Sequence, residues 1–518
     1  MNVSFAADMR RIDERVVKDY GLPAVALMEN AGRRTAEEAA AMIGGAADKA
    51  FAVFAGGGNN GGDAFAAARH LMNMGARVKC FFTGEEERLS DAARAMYDAL
   101  RAMGVEIRPL ASERDWDRLR VSLRFTDAIV DGILGTGTHG ELRKPIVRLI
   151  EEINAAGKPV MAIDVPSGAE ADTGRIAAVA IRATRTLALG LPKVGHFIGA
   201  GANAAGELLV DDIGIPHALL EGEELRQSLI TQETAAKLLP ARARDVHKGS
   251  CGRILVLAGS LGMTGAAALA AEAALRIGAG LVTLAVPERI YPVLAAKLTE
   301  AMVVPIPDEG TGYFGGMQAL EVALSLSRNM DAVLVGPGLG RKPETSEFVR
   351  LFAADVKAPL VMDADAIAAF IGHLDALRDL PQVPILTPHL GEFAALLGKD
   401  AEEVASDLLH EAREAARAHQ AVFVVKSACT IVVYPDGDAF LTTCGNAGMA
   451  TAGAGDVLAG TIVGLMRQME SGMTPLVGVY AHGRAGDLAY EAHGNGLLAG
   501  DILALLPEAL KELTNTTV

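Results

Sequence analysis

Short runs of β-branched and aromatic residues alternate with alanine-rich stretches of helical period along the first half of the chain. The apolar runs fall at 51–55 (FAVFA), 77–82 (RVKCFF), 127–133 (DAIVDGI), 159–165 (PVMAIDV) and 184–190 (TRTLALG), with helices predicted at 63–74, 89–103 and 145–156. Strands that are apolar throughout, rather than alternating, are buried on both faces, so this order predicts a parallel sheet with helices above and below it. An amphipathic helix is predicted ahead of the first strand, at roughly 5–19, followed by PAVALMENAGRRTAEEAAAMI. The polar, acidic stretch EGEELRQSLITQET at 221–234 then interrupts the pattern, and the chain divides there into expected domains 1–222 and 232–518.

The second half repeats the style on a larger scale. Its apolar runs are 253–260 (RILVLAGS), 281–287 (LVTLAVP), 332–340 (AVLVGPGLG), 359–366 (PLVMDADA), 384–389 (PILTPH), 421–427 (AVFVVKS) and 430–435 (TIVVYP), with a helix predicted at 264–278 and three helical runs at the end. Ligands of open α/β sheets bind beyond the carboxyl ends of the strands, so the Gly, Pro, Asp and His residues that follow each run are the first candidates.

Composition narrows the class. A chain of 518 residues fits two large α/β domains, and 50% hydrophobic with 22% charged residues is globular usage. The formal net charge of −16 argues against nucleic acid as a partner, while leaving room for a local site that holds a polyanionic nucleotide. The 4 cysteines, Cys80, Cys251, Cys429 and Cys444, are far apart and form no CxxC, so buried free thiols and a reducing cytosol are expected. The opening MNVSFAADMRRIDERVV has no apolar core of a secretory signal, and the small-residue stretch 262–286 is broken by Glu272 and Arg276, so no membrane span is expected.

The first strand leads into AGGGNNGGDAF (55–65), where Gly56, Gly58 and Gly61 satisfy GxGxxG; Gly135, Gly137 and Gly140 satisfy it again in GTGTHG. A dinucleotide fingerprint also needs an acid at the end of the second strand, and here that strand ends in FFTG with the first acid only at Glu85, which disfavours hydride-transfer chemistry. More informative are Asn59 and Asn60, whose amides offer carbonyl oxygens and NH2 donors in an open turn, although an Asn-Gly turn that merely tolerates positive φ reads the same way. Asp131 and Asp164 close two other strands, the latter before Pro166, Ser167 and Gly168. In a parallel sheet these groups can converge on one edge as oxygen ligands for a cation and a carboxylate for proton transfer.

In order, LMENAGR (27–33), GGGNNGGDAF, DGILGTG and IDVPSG closely resemble the NAD(P)H-hydrate epimerases. The resemblance implies a Rossmann-like three-layer sandwich that interconverts the R and S forms of NAD(P)H hydrated at C6 of the nicotinamide ring. It implies substrate contacts from Asn59, Asn60, Gly61, Gly62 and Asp63, and from Gly135, Thr136, Gly137, Thr138, His139, Gly140 and Glu141. It further implies potassium on Asn60, Asp131 and Ser167, and Asp164 against the nicotinamide, the group expected to carry acid/base work. Ala64 stands where the family pattern often has Gly.

In the second half no GK[ST] occurs, so phosphate binding falls to TAGAGDVLAG (451–460). Small residues let a backbone approach a ligand, and the unpaired first amides of a helix suit phosphate. A carboxylate there, Asp456, repels phosphate unless it takes a proton from the attacking hydroxyl. HKGSCGRILVLAGSLGMTGAAALAAEAALRIGAGLVTL, VGPGLG, MDADAI, LTPHLGEF, VVKSACTIVV and GNAGMATAGAGDVLAG together resemble the ADP/ATP-dependent NAD(P)H-hydrate dehydratases, of ribokinase-like α/β/α fold.

That resemblance implies Asp456 as base on the 6-hydroxyl and the amides of Ala452 to Gly455 as an anion hole. It implies the hydrate near Ala266, Ala267, Gly338, Gly340 and His389, and the adenine nucleotide along Lys426, Ser427, Ala428, Cys429 and Thr430 and at Gly455. His389 alone reads equally as a satisfied turn histidine. Ser427, Ala447 and Ala454 depart from the family's usual Gly, Pro and Ser/Thr. Magnesium is expected with the nucleotide, ADP is favoured over ATP because the tandem arrangement resembles the microbial form, and a cytosolic homo-oligomer acting on NADHX and NADPHX is expected. The alternative is a ribokinase-like small-molecule kinase with a non-catalytic N-terminal binding domain.

Overall fold

The computed structural model describes residues 1–222 and 224–515, which form two compact units meeting in sequence between Leu225 and Arg226. Unit one is built on seven strands: β1 Ala50–Ala55, β2 Arg77–Phe82, β3 Ile107–Pro109, β4 Ala128–Gly132, β5 Val160–Ile163, β6 Arg185–Leu189 and β7 Glu207–Asp211. Their order is β3-β2-β1-β4-β5-β6-β7, every neighbouring pair parallel. Side chains of β1 alternate between two cores, Phe51, Val53 and Ala55 entering one and Ala52 and Phe54 the other. Both faces are therefore dry, which is why the strand reads as an unbroken apolar run.

The chain leaves β1 toward β2 on one side and returns to β4 on the other. The carboxyl ends of β1 and β4 are consequently a topological switch point, where a crevice opens. Three helices frame it: α1 Ala6–Tyr20, α2 Ala24–Met42 and α3 Asn59–Asn73. The third begins four residues earlier than 63, so the NNGGD stretch is the first turn of a helix and not a loop. The hydrophobic period did not reveal β3, β7 or the helix Glu113–Arg124, whose sequence ERDWDRLRVSLR is mostly polar.

Unit two contains β8 Gln227–Ile230, β9 Arg253–Leu257, β10 Leu281–Pro287, β11 Met302–Ile306, β12 Ala332–Val335, β13 Leu360–Met362, β14 Ile385–Leu386, β15 Val422–Val425, β16 Ile431–Val433 and β17 Ala439–Thr442. The order is β11-β10-β9-β12-β13-β14-β15-β16-β17-β8, with its switch point between β9 and β12. The sheet is parallel from β11 to β15, whereas β15–β16 and β16–β17 pair antiparallel. Only five residues separate β15 from β16, too few for a crossover, so a hairpin is the one connection available. The stretch expected to separate the domains carries β8, a parallel edge partner of β17. No helix among the described residues is long and apolar enough to cross a membrane.

In unit one, Phe65 on α3 is wholly buried, its ring 5.6 Å from that of Phe82 and 5.3 Å from that of Tyr97. Phe65→Ala is expected to cost about 3–5 kcal/mol through lost burial and the cavity left behind. For a unit of this size that lowers its melting temperature by roughly 6–20 °C. Fluorescence of Trp116, the 1 tryptophan of the chain and a buried residue of unit one, provides the reading.

Candidate functional sites

At the switch point of unit one, Asn60 stands in the first turn of α3, Asp131 on β4, and Ser167 in the turn after β5. The Asn60 amide donates to the carbonyls of Leu134 (2.6 Å) and Ile163 (3.1 Å), which turns its Oδ1 inward. That oxygen is buried and has no hydrogen-bond partner. Asp131 is fully buried; it accepts from the Ser167 hydroxyl (2.6 Å), the Ser167 amide (2.9 Å) and the Ile133 amide (3.2 Å). Burial pushes its carboxyl up to about 6, these donors holding it back. A carboxylate, an amide oxygen and a hydroxyl thus meet with one oxygen left over, a donor set suited to a weakly hydrated cation. Among the described residues no cluster of three or more His, Cys, Asp or Glu forms a metal site of the usual kind.

Beside this group lies a cavity of about 980 Å³. Asn59, Asn60, Asp63, Gly135, Thr136, Gly137, Thr138, His139, Glu141 and Asp164 line it. Gly61, Gly62 and Gly140 do not. A Cβ on Gly61 would fall 1.9 Å from the Gly56 carbonyl oxygen and one on Gly62 2.6 Å from the Met28 side chain, so these two glycines serve helix packing. The Gly140 amide instead donates to Glu170 (3.2 Å).

Asp164 sits just past β5 with a left-handed backbone, φ 63°, a conformation that costs a residue with a Cβ about 1–2 kcal/mol and is easiest for Asp or Asn. Several bonds hold it there. Its amide donates to Leu187 O (2.8 Å), and its carboxylate accepts from the Leu189 amide (3.1 Å) and from the ammonium of Lys193. Its carbonyl accepts from His196 Nε2 (2.8 Å), whose Nδ1 in turn accepts from the Lys193 amide (3.1 Å). Burial and the neighbouring ammonium push His196 down to about 4, so the ring is neutral at physiological pH. Lys193, 1% exposed, also donates to Leu189 O (2.9 Å). Sequence reasoning missed Lys193 and His196, which lie in LPKVGH, a stretch without a motif.

In unit two, the helix Ala454–Leu465 opens after Gly453, whose φ of 92° is a left-handed entry that glycine makes without strain. Ala454, Gly455 and Asp456 therefore form its first turn, where amides lack intrahelical partners. The buried His482 donates from Nε2 to the Ala454 carbonyl (2.9 Å) and fixes the turn from behind. Burial pushes Asp456 up to about 7, with Asp363 and Asp365 adding to the shift and Lys426 opposing it. The Lys426 ammonium donates to Asp363 (2.9 Å) and lies 3.1 Å from where a Cβ on Gly455 would stand. Asp363 follows β13, is 1% exposed and accepts as well from the Thr387 hydroxyl (2.7 Å).

Other predicted residues gather around this centre. At the switch point Gly338 abuts Ala266, a Cβ on the glycine falling 3.0 Å from the alanine methyl; the Gly340 amide donates to Asp365 (2.8 Å). Ala267 is fully buried beneath Gly259 and presents no surface. His389 pairs with Lys426 in a parallel bridge and caps the helix Leu390–Leu397, its Nδ1 accepting from the Glu392 amide (3.1 Å). Half the ring is thus satisfied by the turn, while the side chain stays 59% exposed. Ser427 and Ala428 are exposed and Thr430 half-buried, but Cys429 points inward, donating to Thr442 O (3.2 Å), so only its backbone faces outward. Sequence reading quoted MDADAI without giving Asp363 or Asp365 a role.

Two doubly wound α/β units, each with a carboxylate paired to a buried or half-buried lysine at its switch edge, define a two-site enzyme. Residues 254–508 match the NAD(P)H-hydrate dehydratase family and 24–195 the YjeF-related protein N-terminus family. The chain is 40% identical to the bifunctional NAD(P)H-hydrate repair enzyme Nnr of Moorella thermoacetica, over 98% of this chain and 96% of that one. It is 37% identical to the Nnr of Thermofilum pendens, over 99% and 97%. Among solved structures it is similar to an ADP/ATP-dependent NAD(P)H-hydrate dehydratase from Bacillus subtilis co-crystallised with ATP and Mg2+ (31% identity, 55% of this chain, 98% of that one, TM-score 0.48). The chain belongs to the family of bifunctional NAD(P)H-hydrate repair enzymes.

Because Asp363 helps raise Asp456, Asp363→Asn is expected to move the Asp456 titration from about 7 to lower pH. Carboxyl 13C titration, assigned with Asp456→Asn, reads this; an unmoved midpoint would mean that burial alone sets it.

Proposed function

We propose that the chain returns hydrated nicotinamide dinucleotides to NAD(P)H in two steps, unit one interconverting the R and S hydrates and unit two dehydrating the S form at the expense of ADP or ATP. The observation that carries this is Asp456: a carboxyl in the first turn of a helix whose unpaired amides suit phosphate, raised to about 7 mainly by burial and flanked by Lys426.

Hydroxide leaves C6 poorly. Asp456 takes the proton of the 6-hydroxyl as its oxygen attacks the terminal phosphoryl group, and the amides of Ala452 to Gly455 with Lys426 offset the charge that develops. The C6–O bond then breaks as the N1 lone pair forms an iminium, phosphate leaves with the electron pair, and loss of the C5 proton restores the ring double bond. His389, Ala266, Gly338 and Gly340 surround the hydrate, and the backbone of Lys426 to Thr430 runs along the nucleotide. Three carboxylates, Asp363, Asp365 and Asp456, face the cations Lys426 and Arg341, so magnesium arriving with the nucleotide would neutralise phosphate charge that these residues cannot.

In unit one, Asp164 acts on the ring carbon that carries both hydroxyl and nitrogen. Asn60, with its orphan Oδ1, Asp131 and Ser167 would hold potassium, which would supply a fixed positive charge to the site. The same reading places the chain in the cytosol as a homo-oligomer acting on both NADHX and NADPHX.

The test is spectroscopic: mixed R and S hydrates of NADH with magnesium, potassium and ADP or ATP. Wild type is expected to convert the whole mixture to NADH, Asp164→Ala to stop with one epimer left, and Asp456→Ala to form none. No NADH with either nucleotide would overturn the dehydratase reading. Exchanging potassium for tetramethylammonium is expected to slow epimerisation and leave dehydration of the S form unchanged, read on the same traces.

A further inference from the structure

The proposed epimerisation needs two proton carriers, and Asp164 is one. A carbon bearing a hydroxyl and a ring nitrogen inverts when a base takes the O–H proton, the C6–N1 bond breaks to leave an aldehyde, and an acid protonates the departing nitrogen. Rotation about C5–C6 and the reverse sequence close the ring on the other face, returning both protons to their donors. One carboxylate cannot serve both atoms at once.

The first helix supplies a candidate that no motif announces. On α1, Met9, Asp13 and Val17 are spaced four apart and all three line the cavity that holds Asp164 and Lys193. The strap ahead of α1 fixes this placement: Ser4 N donates to Pro192 O (2.9 Å) and Val194 N donates to Ser4 O (3.2 Å), a bridge on either side of Lys193 itself. The Ala6 amide donates to Asp172 (2.6 Å), tying the helix start to the turn beyond Ser167. Asp13 is thus held at the cavity by a strap hydrogen-bonded to the segment that carries the ammonium ion-paired to Asp164.

We propose that Asp13 is the second acid/base residue of the epimerase site, exchanging its proton with the ring nitrogen while Asp164 acts on the hydroxyl, and that Lys193 positions the pair. This rests on the epimerase reading of unit one. The charged groups facing Asp13 are Lys193, Asp164 and Asp63, with Arg10 beside it on its own helix and Glu85, Arg88, Asp91, His139, Glu141 and Arg143 elsewhere on the cavity wall. Three carboxylates share one buried ammonium, and burial with the like charges of Asp164 and Asp13 raises Asp63 well above its ordinary range. Desolvation inside the cavity pushes Asp13 up to about 6, Lys193 opposing and Asp164 adding. The side chain nevertheless stays open to solvent in the cavity, as a group that must meet substrate has to be.

The experiment measures interconversion of purified R and S hydrates of NADH by the full chain from pH 5 to 8, spontaneous rate subtracted, for wild type and Asp13→Asn. The variant is expected to lose about 100-fold or more in kcat with KM changed little, the contribution typical of a general acid. It is also expected to lose the fall in rate that wild type shows as pH rises through about 6 and Asp13 gives up its proton. A rate within a few-fold of wild type, or a slower rate with the same pH profile, would overturn the proposal. Trp116 fluorescence reports whether unit one remains folded, and Asp13→Glu, which keeps the carboxyl, is expected to recover part of the rate; failure to do so in a folded variant also counts against it. Wild type no faster than the spontaneous rate would instead overturn the epimerase reading, and Asp13 with it.

Discussion

A lysine ammonium set against a carboxylate at the carboxyl edge of a parallel sheet is the interaction on which both sites depend. In unit one it is Lys193 on Asp164, in unit two Lys426 on Asp363. Parallel sheets force this arrangement. With helices on both faces, polar side chains have nowhere to go along the strands except their ends, and a charge taken out of water there needs a partner. The pair is therefore as much a condition of the fold as a tool of the chemistry.

What each pair leaves unneutralised raises the carboxyls beside it. Unit one sets Asp13, Asp63 and Asp164 against one ammonium, and burial with the other two carboxylates drives Asp63 well above its ordinary range. Unit two sets Asp363, Asp365 and Asp456 against Lys426 and Arg341, and Asp456 rises to about 7. A helix N-terminus alone would pull Asp456 the other way. Burial and like charge win, leaving a carboxyl that gives and takes a proton near neutral pH, while the first-turn amides remain available to phosphate.

Much of this was legible in the sequence. Apolar runs located the central strands, with Asp131 closing one of them and Asp164 and the glycines of both switch points just past others, while Asp456 stood out in TAGAGDVLAG. Elements that hydrophobic period cannot see were lost: β8 hides in an acidic stretch because as an edge strand it owes its place to pairing with β17, more than two hundred residues away. Lys193 was invisible for a related reason. A lysine in LPKVGH reads as surface, and only the return of the chain beside β5 and the N-terminal strap buries it. NNGGD looked like a loop because its glycines suit positive φ, yet they are there for close packing of α3 on Gly56 and Met28. Composition cannot separate those two uses of glycine.

Why a ribokinase-like site should serve a dehydration follows from the substrate more than from the protein. Phosphorylating a sugar hydroxyl gives a stable ester, because the carbon carrying it has no neighbouring lone pair. At C6 the ring nitrogen stands next to the new leaving group, and the ester expels phosphate by itself. With Asp456 as the proposed base and the helix-start amides as the proposed anion hole, nothing need be added to what a kinase requires. What the site must control is which hydrate reaches Asp456, since only one face of C6 can present its hydroxyl to a carboxylate fixed on a helix turn. On the proposed reading Ala266, Gly338 and Gly340 shape that approach, and a Cβ on Gly338 would fall 3.0 Å from the Ala266 methyl, so the glycine leaves no room to spare. A site this rigid in stereochemistry strands the opposite epimer, and the reaction placed on unit one is the one that recovers it.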